Sequence, residues 1–225
     1  MSNRIGIRLE DKNAWERRAP LTPDAVRQAS SEGVEVHVER FARRAFSDTE
    51  YATAGAHLSD DVRDCEMVLG IKEMPRDYFR PGGAYFFFSH TIKGQPYNME
   101  MLRSLVDRKC TLLDYELVTD EKGRRLIFFG RYAGLAGMID TLWALGRRLE
   151  ALGHDTAFRE LKPAHEYADL EAAKAAVSRI GARISAEGLP EVLRPMAVGI
   201  TGYGHVSRGA QEILDLLPHV EIGPD

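Results

Sequence analysis

Two short stretches place a titratable side chain directly behind an apolar run. Gly70-Ile71-Lys72-Glu73-Met74-Pro75 sets a lysine and a glutamate after Met67-Val68-Leu69, and Ser89-His90-Thr91-Ile92-Lys93 follows Ala84-Tyr85-Phe86-Phe87-Phe88. Apolar runs of this length suit buried strands, and in an open α/β sheet the functional groups gather where strands end. A lone strand-end lysine is more often a solvated charge, and a lone histidine caps or fills a core just as well. Two such ends in one sheet turn the balance toward an acid/base pair. Asp114-Tyr115-Glu116 follows a third apolar run, so carboxylates and cations are expected to converge on one sheet edge and shift one another's pKa values. Trp15-Glu16-Arg17-Arg18 adds guanidinium groups suited to a carboxylate, with an ion pair to Glu16 as the alternative.

The elements that must position these residues alternate. Ile5-Gly6-Ile7 predicts a strand, Thr22-Pro23 the start of a helix, Val34 to Val38 a strand, about Asn98 to Arg108 a helix, and Thr111 to Asp114 another strand. This rhythm predicts an α/β fold: a mostly parallel, Rossmann-like sheet with flanking helices that binds ligands at its carboxyl edge. After Phe129, Gly130 to Leu152 predicts one long linking helix in which Gly134 and Gly137 permit close packing, and about Leu170 to Ser185 predicts a second helix. Met196 to Thr201 then predicts a strand, followed by Gly202-Tyr203-Gly204-His205-Val206-Ser207 and a helix through Leu217. Such a strand, glycine turn and helix opens a dinucleotide-binding unit, with the helix N-terminus facing a pyrophosphate. Gly202, Gly204 and Ser207 are therefore the cofactor-binding candidates, against the alternative of an ordinary glycine-rich βα turn. Only the start of a further strand, Val220-Glu221-Ile222, follows, so this second Rossmann domain is expected to be truncated. The expected organisation is a substrate-binding and catalytic domain at 1–129, linking helices at 130–195, and an incomplete dinucleotide domain at 196–225. Glu221 and Asp225 lie at about the distance, roughly 20 residues, of the acid that contacts ribose hydroxyls.

Composition narrows the classes. The 225 residues are 44% hydrophobic with a formal net charge of -4, which gives no reason to expect nucleic acid as a partner. No stretch approaches the ~20 apolar residues that span a bilayer, and no apolar signal region opens the chain, so no membrane partner and a cytoplasmic location are expected. Cys65 and Cys110 lack the spacing of a metal site or redox pair, so no metal is expected. An incomplete nucleotide domain would leave unpaired strand edges, which invite self-association or completion by a C-terminal portion.

Arg18-Ala19-Pro20-Leu21-Thr22-Pro23 resembles the R-x-x-L-T-P element of alanine dehydrogenases, transhydrogenase subunits and saccharopine dehydrogenases, and Lys72-Glu73 and His90 match the lysine and histidine of that superfamily. Ser89 to Gln95, Leu113 to Glu116, Gly123 to Gly137 and Thr201 to Ile213 more particularly resemble the lysine-forming saccharopine dehydrogenases, or lysine-2-oxoglutarate reductases. These include the reductase half of the bifunctional aminoadipic semialdehyde synthases. The resemblance implies reductive condensation of lysine with 2-oxoglutarate to saccharopine, or its reverse, with NADP or NAD, NADP being the resemblance's preference. It implies Lys72 and His90 as the acid/base pair, Glu73 and Glu116 tuning them, and Arg18 and Lys93 gripping substrate carboxylates. An alanine dehydrogenase-like enzyme, which shares the arginine, lysine and histidine, is one alternative; the family completes its cofactor domain, whereas this sequence stops at Asp225, so a non-catalytic ligand-binding or assembly fragment is the other.

Overall fold

A computed structural model describes residues 3–223. The chain divides between Phe128 and Phe129 into two compact units. The first is built on six parallel strands: β1 (Arg4–Ile7), β2 (Glu35–Glu39), β3 (His57–Ser59), β4 (Met67–Leu69), β5 (Ala84–Phe87) and β6 (Thr111–Asp114). Their order is β3-β2-β1-β4-β5-β6, every neighbouring pair parallel, which is the Rossmann-like arrangement expected. The strand order reverses between β1 and β4, so the crevice at their carboxyl ends is the place where such a sheet binds ligands.

Side chains alternate across each strand, so the two faces feed separate cores. On one face Ile7, Val36 and Val38 pack with Val26 of α1 (Pro23–Ser31) and Tyr51 of α2 (Asp48–Thr53). On the other, Val68, Tyr85 and Phe87 pack with Phe79 and with Met101 and Leu105 of α3 (Pro96–Asp107). Gly6 lies against Val62 of this second core with no room for a Cβ, so the central strand carries a glycine where the layers close. Thr22 caps α1 through the amide of Ala25, with Pro23 at the first turn, as the sequence indicates. The short α2 and β3 were not anticipated.

The second unit contains α4 (Gly130–Ala151), α5 (Leu170–Glu187) and α6 (His205–Leu214) around Leu135, Ile139, Leu142, Phe158, Val177, Ile180 and Ile213. Four glycines bring backbones into contact: a Cβ on Gly134 would strike the Val206 carbonyl, one on Gly209 the Arg131 carbonyl, one on Gly181 the Leu216 carbonyl, and one on Gly146 the Phe158 carbonyl. Gly137, the other glycine singled out in α4, faces open space. Two strand expectations are corrected. Met196 to Thr201 and Val220 to Ile222 form no strand among the described residues, and Val198, Val220 and Ile222 are exposed. A strand exists only by hydrogen-bonding to a neighbour, and the unit describes none. No helix among the described residues is long and apolar enough to cross a membrane.

Candidate functional site

Four sheet strands deliver charged residues to the same carboxyl edge. β5 is followed by Phe88, whose amide donates to the Ile71 carbonyl at 3.1 Å. This last shared rung makes Lys72 and His90 leave adjacent strands within two residues of each other's strand end. His90 occupies the left-handed region at φ 54°, ψ 13°, unusual for a side chain other than glycine. Its Nδ1 lies 2.8 Å from Glu116 Oε2 and 3.0 Å from Lys93 Nζ, while Lys93 Nζ also lies 3.2 Å from Glu116 Oε1. Arg125 approaches the same Oε1 at 3.6 Å. Burial alone would raise the Glu116 pKa, but the hydrogen bonds and charges of His90 and Lys93 outweigh it and hold the carboxyl below its ordinary range. Behind this cluster, buried Asp114 accepts from the Ser89 amide at 3.3 Å, from the Ser89 hydroxyl, and from the Glu116 amide at 2.8 Å.

At the β1–β4 corner, Arg8, Glu10, Asp11 and Lys12 follow β1 as Lys72 and Glu73 follow β4. Glu10 is 2% exposed and accepts from the Ile71 amide at 2.6 Å and the Lys72 amide at 3.1 Å. Burial pushes its carboxyl up to about 7, against the pull of those amides and of Arg8, with the charge of Glu16 adding to the rise. Glu16 pairs with Arg18 at both oxygens, at 2.7 and 2.6 Å. Burial opposes ionisation of Glu16 as well, yet the Arg18 hydrogen bonds, with the charges of Arg18 and Lys72, hold it below its ordinary range. Arg18 thus sits half-exposed on its own carboxylate partner, able to take a substrate carboxylate only by sharing or exchanging that bond.

Glu73 turns to Lys12 at 3.3 Å and lines a groove of about 340 Å³ with Lys12, Arg76, Tyr97 and Asn98. The site's other cations are therefore committed: Arg8 to Asp11, Lys12 to Glu73, Arg18 to Glu16, and Lys93 and Arg125 to Glu116. Among the described residues, the half-buried Lys72 ammonium forms no ion pair or hydrogen bond. The structure thus gathers Lys72, His90, Lys93, Glu116 and Arg18 on one edge and gives Glu73 a partner other than Lys72. Glu10 and the bonding role of Asp114 were missed. Glu10 carried the same signal as Lys72, a charged run behind an apolar strand. Among the described residues no group of three or more metal-ligating side chains is placed to hold an ion.

In the second unit Gly202 has φ +87° and Gly204 precedes α6 with no side-chain cap, both exposed with open space where a Cβ would be. An uncapped N-terminus behind a positive-φ glycine suits a phosphate, so these residues fit the pyrophosphate end of a dinucleotide. Ser207 is buried and accepts from the Gln211 amide at 2.8 Å, which gives it a packing place in the helix's first turn. Glu221 is exposed, and Asp225 lies outside the described residues.

Residues 6–136 match the model of the alanine dehydrogenase/PNT N-terminal domain. The alpha-aminoadipic semialdehyde synthase of Arabidopsis thaliana is 42% identical over 226 residues, which cover 98% of this chain and 21% of that protein. The NAD(+), L-lysine-forming saccharopine dehydrogenase of Emericella nidulans is 39% identical over 142 residues, covering 60% of this chain and 38% of that one. Among solved structures, an L-alanine dehydrogenase superposes with a TM-score of 0.52 at 24% identity, over 77% of this chain and 52% of that one, a likeness of fold. The chain spans about a fifth of the plant relative's length.

Proposed function

Because the chain belongs to the alanine dehydrogenase/PNT N-terminal domain family, we propose that it supplies the substrate-binding and acid/base half of a nicotinamide-dependent oxidoreductase of lysine breakdown. The reaction is the condensation of lysine with 2-oxoglutarate to saccharopine, or its reverse, in keeping with the names of the relatives. The observation that carries the reading is that Lys72, its ammonium in no ion pair among the described residues, and the His90–Glu116 pair stand at the ends of neighbouring strands.

Joining an amine to a ketone demands proton transfers at the ligand edge. A proton must leave the lysine ε-ammonium before it attacks, and one must reach the hydroxyl that departs as water. Lys72, whose ammonium forms no ion pair among the described residues although its charge reaches Glu16, and His90, oriented through Nδ1 by Glu116 so that Nε2 is left for the substrate, take these roles. Arg18, Lys93 and Arg125 sit on carboxylates of the protein that substrate carboxylates can share or replace. A nicotinamide, NAD or NADP, supplies the hydride when bound, with Gly202 and Gly204 at its pyrophosphate.

Calorimetric titration of the 225-residue chain with saccharopine, lysine and 2-oxoglutarate, together with an absorbance assay of nicotinamide turnover, tests this reading. Saccharopine binding that weakens at least tenfold in Arg18→Ala supports it. Binding or turnover of pyruvate and alanine in place of these ligands would make the chain alanine dehydrogenase-like, and no binding of any of them would make it an assembly fragment.

A further inference from the structure

Lys72 and His90 each stand on a strand end that has run out of sheet. Past Leu69, β4 is bonded on one side by the Arg8 amide and on the other by the Gly70 amide reaching Phe86, and the last rung is the Phe88 amide reaching the Ile71 carbonyl. Ile71 is buried, so its amide and the next would be left without acceptors, at a cost that buried unpaired donors rarely carry. The two oxygens of Glu10, more than sixty residues away in sequence, take one amide each. The β5 and β6 ends are held the same way: Asp114 Oδ2 takes the amide and hydroxyl of Ser89, itself fully buried, and Oδ1 takes the amide of Glu116. One carboxylate thus grips the residue before His90 and the residue that pairs with it, across a backbone turn that His90 makes at positive φ.

We infer that Glu10 and Asp114 are positioning residues of the acid/base pair: Glu10 fixes the strand end that carries Lys72, and Asp114 sets His90 Nδ1 against Glu116. This rests on the functional reading above for the roles of Lys72 and His90, but the geometry it asserts can be measured without turnover.

The test uses the isotope-labelled 225-residue chain and the near-isosteric variants Glu10→Gln and Asp114→Asn, each of which exchanges one acceptor oxygen for a donor. Amide hydrogen exchange reports the strand ends, and the imidazole nitrogen resonances of His90 report its carboxylate contact. Asp114→Asn is expected to speed exchange at Ser89 and Glu116 at least tenfold and to move the His90 Nδ1 resonance to the position it takes in Glu116→Gln. Glu10→Gln is expected to speed exchange at Ile71 and Lys72 by a similar factor and to leave the His90 resonance unchanged. An Asp114→Asn chain whose His90 Nδ1 resonance matches the wild type would overturn the assignment, as would equal acceleration at both strand ends in both variants. Should Asp114→Asn fail to fold, Ser89→Ala removes the hydroxyl bond from the other side and is held to the same His90 criterion. Should Glu10→Gln fail to fold, Glu10→Asp, which keeps the charge and shortens the reach, is held to the Ile71 and Lys72 criterion. Where the wild type turns over, both variants should lower kcat about tenfold with KM little changed. A wild type without turnover counts against the functional reading, while the resonance and exchange criteria still decide the positioning.

Discussion

The strand ends of β4 and β5 present their key residues in opposite ways. His90 is surrounded: its Nδ1 meets Glu116 and Lys93, and Arg125 closes the same carboxylate from a third direction. Lys72 has no such partner for its ammonium, and its order comes through the backbone, from a carboxylate buried beneath it. A side chain held by direct ion pairs keeps its orientation at the cost of its neighbours' freedom. One held only at its backbone leaves its head group uncommitted, which suits a group that gives and takes a proton.

The largest effect should come from the acid beneath Lys72. Burial raises the Glu10 carboxyl from an ordinary 4.5 to about 7, so it contributes stability that is complete below pH 4.5 and is lost as pH rises through 7. By urea denaturation, the wild-type chain should therefore lose about 3 kcal/mol relative to Glu10→Gln across that window; parallel profiles for the two chains would mean that burial does not raise the Glu10 carboxyl. Next in size, Lys72→Met and His90→Asn should each lower turnover about 10²-fold, typical of general acid/base loss. Asparagine is chosen at 90 because it tolerates the left-handed backbone there. Near-normal rates in both variants would remove the pair from the mechanism. Glu116→Gln strips a charged hydrogen-bond partner from His90, and kcat should fall about tenfold. Because Lys72 is not bonded to Glu116, the change in ligand binding caused by Glu116→Gln should be the same in Lys72→Met as in the wild type. The smallest effect is the control: Thr22→Ala removes the α1 cap, costs about 1 kcal/mol in thermal or urea unfolding, and should leave both strand ends as they are.

Most of the sheet was legible because its strands are apolar runs closed by polar residues, and the candidate site was read from those closures. What escaped was short or relational. The six-residue α2 was announced by Ser47 and Glu50, which form a full capping box, although a single hydrophobic turn behind them gave little periodicity. β3 has three residues, too few to show alternation. Glu73 lies next to Lys72 in sequence, but the chain bends past the end of β4, and it reaches Lys12 instead. Glu10 could be placed under Lys72 only once β1 and β4 were known to be adjacent, which no local pattern encodes. Met196 to Thr201 has strand-like composition, but β propensity expresses fit to a pleated neighbour, and no neighbour is described for it.

The glycine contacts between α4 and α6 carry a consequence for the order of α6. Gly134 and Gly209 let the two helices touch backbone to backbone, so α6 is anchored by a helix rather than by a strand beneath it. Its uncapped first turn is therefore ordered by packing, and the entropy of fixing those amides is spent during folding.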